Sequence, residues 1–228
     1  MIITVASNQE DIGRSTIAIN NAVMRTLVGR SVLLIDIDPK KATYEWNEER
    51  KRANIQPAIA AVSIKSKHLK ARFGDLRADY NDILIDTDWR DTTGNQDALE
   101  LADMVIVPIA PGEGSVDSLK QMVRRIKIAR RVNPNLWTLV VIVRAQQIVP
   151  LSELDAIRRY VGKLPATTLV GTVIHEHPSL QSAFAERLSI FEYKPADPRA
   201  VAEMHDLYRA QKMRRVVLPS ISRLQRCA

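Results

Sequence analysis

Six short runs of mostly apolar residues constrain this chain most, because a longer stretch with helical spacing follows each of them. The runs are apolar almost throughout rather than alternating, which is typical of strands buried on both faces of a parallel sheet. The repeated strand and helix order predicts an α/β fold with a doubly wound, mostly parallel sheet flanked by helices. The predicted strands span residues 2–6, 31–36, 82–86, 103–108, 136–143 and 168–174.

The helical stretches between these runs carry start and stop signals. Ser152, with Asp155 after it, and Asp197 are predicted N-caps, and Gly29 and Gly162 are predicted stops. Ligands of doubly wound sheets bind beyond the carboxyl ends of the strands, so we expect functional residues in the loops after the first five strands. The predicted helices span residues 14–28, 41–53, 94–101, 115–132, 151–161, 178–187 and 197–213.

Length and charge bound the class of protein. The 228 residues, 46% of them hydrophobic, fit one large domain over 1–211 with a basic tail over 212–228. No apolar run approaches the roughly 20 residues of a membrane span, and the single cysteine, Cys227, excludes an internal disulfide framework. We therefore expect a cytoplasmic protein. Its net charge of +7 indicates a polyanionic partner, with nucleic acid the first candidate.

The loop after the first strand has the closing half of a phosphate-binding loop, "GRST" at residues 13–16. Gly13 permits a tight turn, Arg14 supplies a cation for phosphates, and Ser15 offers a hydroxyl to Mg²⁺. Two later strands end in acids, Asp36 with Asp38 in "IDIDP" and Asp86 in "DILID". A carboxylate at such a strand end can hold a Mg²⁺-bound water.

In order and spacing, five segments resemble the ParA family of partition ATPases, deviant-Walker-A relatives of MinD within the SIMIBI class of P-loop NTPases. The resemblance covers about residues 1–210. Besides the loop at 9–16, the matching segments are "VLLIDIDP" (32–39), "YNDILIDTDWR" (80–90), "PIAPGEGSVDSL" (108–119) and "HPSLQSAFAERLSIFEY" (177–193).

The resemblance implies a homodimer that binds ATP and Mg²⁺. It implies that Asp38 positions the attacking water and that Ser15 and Asp86 hold Mg²⁺. The nucleotide-binding positions that it implies are Gly13, Arg14, Ser15, Thr16, Asp36 and Asp86.

The same loop departs from the family where the chemistry occurs. Gln9 replaces the lysine that reaches the partner subunit's nucleotide, Glu10 and Asp11 replace two glycines, and Arg14 replaces a lysine. Acids beside a γ-phosphate repel it, so we predict that ATP hydrolysis is weak or lost. One hypothesis is that Glu10 or Asp11 itself occupies the anion site at the helix N-terminus.

The stretch 115–132 predicts a helix with one basic face and one apolar stripe that includes Val132. Further cations lie in "RKR" (50–52), in "KSKHLKAR" (65–72) and in the tail. ParA-like proteins bind DNA without sequence preference, so resemblance and charge agree. The predicted DNA-binding residues are Lys120, Arg124, Arg125, Lys127, Arg130, Arg131, Arg214 and Arg215.

The favoured interpretation is a ParA-like DNA segregation protein, associated with the nucleoid, that acts with a ParB-like centromere-binding adaptor. An active ATPase that tolerates the altered loop and a non-enzymatic regulator or scaffold in plasmid maintenance or conjugation stay open as alternatives. Membrane contact by the tail ranks below DNA binding, because Pro219 interrupts its apolar pattern. His175 and His177 lie two apart without a third ligand nearby in sequence, which favours an ordinary loop.

Overall fold

The computed structural model of the chain describes residues 1–90, 92–112, 114–145 and 151–212. Seven strands form one sheet in the order β3-β2-β4-β1-β5-β6-β7, and every pair is parallel. The predicted fold class is therefore confirmed. The strands are β1 Ile2–Val5, β2 Val32–Asp36, β3 Ala60–Ser63, β4 Asp82–Asp86, β5 Met104–Ile109, β6 Trp137–Ala145 and β7 Thr167–His175.

Eight α-helices cover the two faces of this sheet within the described ranges. A 3-10 turn, Ser66–His68, precedes the third of them, and no described helix is both long and apolar enough to cross a membrane. The helices are α1 Arg14–Leu27, α2 Ala42–Arg52, α3 Leu69–Arg77, α4 Thr92–Leu101, α5 Ser115–Val132, α6 Leu151–Val161, α7 Pro178–Ala185 and α8 Pro198–Lys212.

Two apolar cores, one on each side of the sheet, divide the helices into layers. Helices α3 to α6 share one core, to which Phe73 and Leu119 contribute. Helices α1, α2, α7 and α8 share the other, to which Trp46 and Met204 contribute. Successive residues of a strand are apolar because helices cover both faces of the sheet.

The sequence missed one strand and one helix. Strand β3 is a four-residue edge strand rich in alanine, so it lacks the β-branched run that marks the other strands. Helix α3 begins at Leu69, inside the charged segment 65–72, and its Leu69 and Phe73 are buried in the core. Both segments are short and have few apolar residues, so their sequences show little of the periodicity that predicts a strand or a helix.

Of the predicted helix ends, those at Asp197 and Gly29 agree with the structure and the one at Ser152 does not. Asp197 Oδ1 accepts hydrogen bonds from the backbone N–H groups of Arg199 and Ala200, as an N-cap should. Gly29 follows α1 with φ 81°, which suits a helix stop. The prediction for Ser152 was wrong, because α6 already begins at Leu151 and Ser152 lies inside its first turn.

A buried charged cluster ties the amino-terminal edge of the sheet to the helices. Asp82 accepts hydrogen bonds from Arg25 at 2.9 Å and from Arg30 at 2.8 Å. Burial opposes ionisation of Asp82, but these two guanidinium groups outweigh it and hold its pKa well below the usual range. Arg25 also donates to Gln211 of α8, so α1, β4 and α8 are joined through one side chain.

Candidate nucleotide site and basic face

Register between neighbouring strands creates the candidate site. Asp36 of β2 pairs with Asp86 of β4, and Asp86 also pairs with Val5 of β1. The loops after three strands therefore open at one place on the carboxyl edge of the sheet. The phosphate-loop segment, the aspartates of "IDIDP" and Asp86 meet there, as the sequence predicts.

The loop before α1 has the backbone form of a phosphate-binding loop. Gly13 has φ 82°, and its carbonyl accepts the first hydrogen bond of α1 from the N–H of Ile17 at 2.9 Å. Asp11 also has a positive φ, 50°, an unusual conformation for a residue with a side chain. The glycine that aligns with position 11 in the family would adopt it more easily.

Arg14 is buried beneath this loop. Its Nε donates to the carbonyl of Thr87 at 2.9 Å, and one terminal nitrogen donates to the carbonyl of Gln9 at 2.5 Å. The guanidinium thus joins the loop to the end of β4. A planar fork can make these bonds together, whereas a lysine ammonium is a single point charge.

Ser15 and Asp86 form a donor set suited to Mg²⁺. The Ser15 hydroxyl donates to Asp86 Oδ2 at 2.6 Å, while Asp86 Oδ1 is buried and without a hydrogen-bond partner. Burial, and then the nearby carboxylate of Asp36, raise the pKa of Asp86 to about 7. A hard cation on these oxygens would satisfy the unpaired oxygen and favour the ionised carboxylate.

Asp36 and Asp38 have different roles at the end of β2. Asp36 is fully buried, and its Oδ2 accepts bonds from the N–H groups of Thr43 and Tyr44 and from the Thr43 hydroxyl. Asp36 therefore holds the first turn of α2 in place. Asp38 lines the cleft described below, and burial together with the carboxylates of Asp88 and Asp36 raises its pKa.

The structure does not place Glu10 in the anion site of α1. Its carboxylate lies 3.3 Å from Lys40 Nζ and 3.9 Å from a nitrogen of Arg90. The hydrogen bond from Lys40 lowers the pKa of Glu10, which therefore stays ionised. That part of the hypothesis was wrong, because the Glu10 carboxylate pairs with cations outside the loop.

A cleft of about 400 Å³ extends from the loop towards β7, α7 and α8. Gly13, Arg14, Ser15 and Thr16 line one end of it, and Leu180 and Phe184 of α7 contribute apolar side chains. A cleft with polar groups at one end and apolar groups elsewhere is typical of small-ligand sites.

Sequence reasoning missed two cations that line this cleft, Lys40 and Arg144. Arg144, one residue before the end of β6, has a left-handed conformation, donates to the carbonyl of Asp11 and lies 3.2 Å from Glu176. Both residues follow predicted strands, and this position at the carboxyl edge of the sheet could have indicated that they lie near a ligand site. Together with Arg14, they place three cations in a cleft to which Asp11, Asp38 and Glu176 contribute three acids.

Known proteins resemble the chain in sequence profile and in structure. The family described as "CobQ/CobB/MinD/ParA nucleotide binding domain" matches residues 3–190. The chain belongs to this family. No curated protein matches the chain in sequence.

Solved structures share the fold of this CobQ/CobB/MinD/ParA family member. A plasmid partition protein from Borrelia burgdorferi is 21% identical with a TM-score of 0.62, over 83% of this chain and 96% of that one. A putative plasmid partition protein from Borrelia burgdorferi B31, bound to AMPPNP, is 20% identical with a TM-score of 0.69, over 92% and 98%. Apo McdA from Cyanthece is 15% identical with a TM-score of 0.74, also over 92% and 98%.

The family member also presents cations on the outer side of α5. We call Lys120, Arg124, Lys127 and Arg131 the basic face, since all four are exposed and recur at helical spacing. The opposite side of α5 buries five apolar residues, but Val132 is 68% exposed, so its place in the predicted apolar stripe was wrong. That stripe ends one turn earlier, at Ala129.

Two other predicted DNA-binding residues of α5 differ from the basic face. Arg125 is half-buried. The guanidinium of Arg130 donates to the carbonyls of Leu136, Pro165 and Ala166 and to the Thr138 hydroxyl. Its nitrogens are engaged in fixing α5 to the start of β6. Arg214 and Arg215 lie outside the described residues.

Part of the wider basic pattern is structural. Arg50, from the "RKR" segment, is 1% exposed, and its terminal nitrogens bind both carboxylate oxygens of Glu192, at 2.6 and 3.0 Å. Arg50 is therefore unavailable to DNA, and Glu192, which lies in the segment 177–193 that resembles the family, supplies its counter-charge. Lys70 pairs with Asp97 and Glu100, whereas Lys65, Lys67 and Arg72 are exposed in the same helical layer as α5.

Proposed function

We propose that this protein is a DNA segregation protein of the ParA type that binds DNA without sequence preference and hydrolyses ATP weakly or not at all. It acts with a ParB-like centromere-binding adaptor and associates with the nucleoid. The names of the structural neighbours, two of them plasmid partition proteins, support the role. The single observation that carries the DNA component is the basic face of α5.

The basic face has the dimensions of a phosphate-backbone contact. Its four cations lie on one side of a helix within twelve residues, whose eleven steps of 1.5 Å each span about 16 Å. Duplex DNA carries one negative charge per roughly 1.7 Å of its axis, so the whole row can face phosphates. Phosphate contacts carry no sequence information, which agrees with binding that ignores sequence.

The state of Gln9 supports weak hydrolysis. Its side-chain oxygen accepts a hydrogen bond from the N–H of Ala110 at 3.1 Å, so the side chain is bound within its own chain. An amide also lacks the positive charge that would stabilise developing charge on a transferring phosphoryl group. The position that acts across the dimer in the family is therefore both neutral and engaged elsewhere.

Nucleotide binding itself fits the site. Ser15 and Asp86 would hold Mg²⁺, and the backbone of residues 13–16 would face the phosphates. Mg²⁺ would neutralise phosphate charge when bound. Because Lys40 and Arg90 pair with Glu10, the acid opposes phosphate less than its charge alone implies. This pairing favours the second candidate function, an active ATPase that tolerates the altered loop.

Turnover measured with and without DNA separates the two candidates. Calorimetry with ATP and ADP in the presence of Mg²⁺ first establishes whether nucleotide binds. We expect binding with little turnover, and increased turnover when Gln9, Glu10 and Asp11 are replaced by Lys, Gly and Gly. The matched control is Glu10→Gln, which removes the acid but leaves Gln9 unchanged. DNA-stimulated turnover in the native chain would instead support the active ATPase.

The DNA component is tested by titrating two duplexes of unrelated sequence at low salt without nucleotide. Equal affinities for both are expected, because the contacts are to phosphates. Absence of binding to both duplexes would contradict the proposal and favour a scaffold that retains the fold for protein contacts. A strong preference for one duplex would contradict binding without sequence preference.

A further inference from the structure

Two histidines and a glutamate converge at one wall of the cleft. His175 ends β7, His177 is the N-cap residue of α7, and Glu203 lies on α8. His175 Nδ1 lies 2.7 Å from Glu203 Oε1, and His177 Nε2 lies 2.8 Å from Glu203 Oε2. The three ligand-type atoms all lie within 4.8 Å of one another. Within the described ranges, this is the one such group of three His, Cys, Asp or Glu residues.

A carboxylate supports one of these histidines from the opposite side. Asp197 Oδ2 lies 3.5 Å from His177 Nδ1, the ring nitrogen that faces away from Glu203. Asp197 is itself fixed by a 2.6 Å hydrogen bond from the Ser179 hydroxyl and by its bonds to the start of α8. A carboxylate on the remote nitrogen of a histidine selects the tautomer whose other nitrogen is free to bind a metal.

We propose that His175 Nδ1, His177 Nε2 and Glu203 bind one Zn²⁺ ion. Two imidazole nitrogens and one carboxylate form a ligand set that zinc accepts with a fourth position left open, while Mg²⁺ and Ca²⁺ prefer all-oxygen sites. Zinc bonds of 2.0–2.2 Å in tetrahedral geometry place ligand atoms about 3.3 Å apart. The two nitrogens now lie 2.7 and 2.8 Å from the Glu203 oxygens, and all three ligand atoms lie within 4.8 Å of one another, so binding would change these separations by about 1.5 Å or less.

The ion would take the place of the direct contacts between the two imidazole rings and Glu203. The backbone N–H of His175 also donates to Glu203 Oε2 at 3.0 Å, so the carboxylate is already oriented towards β7. The side chains of His177 and Glu203 are 14% and 17% exposed, and that of His175 is 41% exposed, so the site opens to solvent on the side of His175. Zinc would thus connect β7, α7 and α8, whose residues form this wall of the cleft.

This site is separate from the proposed Mg²⁺ site and does not depend on nucleotide. Ser15 and Asp86 contribute no ligand to it, and none of its ligands belongs to the phosphate loop. Failure of zinc binding would therefore leave the proposed function intact, and loss of ATP binding would leave the zinc site intact.

The test is zinc titration of the full chain in competition with a chromogenic chelator. Cys227→Ser is introduced throughout, so that the thiol cannot contribute. We expect one zinc per chain, an increased melting temperature with zinc, and an absorption spectrum of a low-coordinate site with Co²⁺. Asp197→Asn should weaken zinc binding by roughly tenfold or more, as is usual when a carboxylate that orients a ligand is lost. Glu203→Gln should weaken it further.

The matched control is His205→Ala, which removes a histidine of the same helix that is not in the cluster. It should bind zinc like the parent chain. Glu203→Gln retains the size and one hydrogen-bonding oxygen of the side chain, and circular dichroism without metal checks that it folds. Zinc binding that survives both Glu203→Gln and His175→Ala, or that His205→Ala weakens equally, would overturn the proposal. So would the absence of zinc binding by the parent chain.

Discussion

Neutralising the basic face should reduce both DNA affinity and its dependence on salt. The perturbation is Arg124→Gln, Lys127→Gln and Arg131→Gln together, because these three cations are exposed on one side of α5. Each phosphate contact contributes about 0.9 to the slope of log affinity against log salt, so three contacts contribute about 2.7. Between about 50 and 200 mM salt, that slope corresponds to roughly a 40-fold loss of affinity in the native chain.

Lys120 is omitted from the perturbation for a structural reason. Its Nζ lies 2.8 Å from Asp117 Oδ1, so part of its charge is already compensated. If it nevertheless contacts phosphate, four contacts give a slope of about 3.6. The native slope from this face should therefore lie between about 2.7 and 3.6, and the triple variant should lose about 2.7 of it.

Fluorescence anisotropy of a labelled duplex over a salt series measures the slope directly. The matched control replaces Lys194, Arg199 and Arg209 by Gln, which removes the same charge from exposed positions around α8, in the other helical layer. We expect the control to retain most of the native slope. An unchanged slope in the α5 variant, or an equal loss in the control, would refute the basic face as the DNA contact.

Three further predictions concern stability and the nucleotide site. Asp82→Asn should lower the free energy of unfolding at pH 7 by about 3–5 kcal/mol, because the Arg25 guanidinium stays buried without a counter-charge. The depressed pKa of Asp82 means that its stabilising contribution is present above its ordinary pKa and is lost as the pH falls towards its folded value. The urea concentration at the unfolding midpoint of the native chain should therefore fall below about pH 4, and that of the variant should fall less. Glu192→Gln should cost a similar amount in urea denaturation, because Arg50 is buried, and a cost below about 1 kcal/mol would refute its structural role. Ser15→Ala should weaken calorimetric binding of ATP with Mg²⁺ more than binding without it, and equal losses would contradict the proposed Mg²⁺ site.

Local sequence carried most of the fold because buried parallel strands need continuous apolar runs. Six of the seven strands had such a run and were predicted within two residues of their ends. The Asp197 cap and the Gly29 stop were equally local, because a cap depends on a side chain and its neighbouring backbone. Edge strand β3 lacked that signal, because an edge strand with half-buried faces does not require an apolar run.

Contacts between distant segments decided the rest, because charge and hydrogen-bonding capacity do not identify a partner along the chain. Strand order places Asp36 beside Asp86, although fifty residues separate them. Arg50 looked like a surface cation until Glu192 neutralised it in the interior. Folding also decided that Glu10 pairs with Lys40, and that α8 brings Glu203 to His175 and His177. The sequence by itself determined which residues could act, and the tertiary structure determined which of them meet.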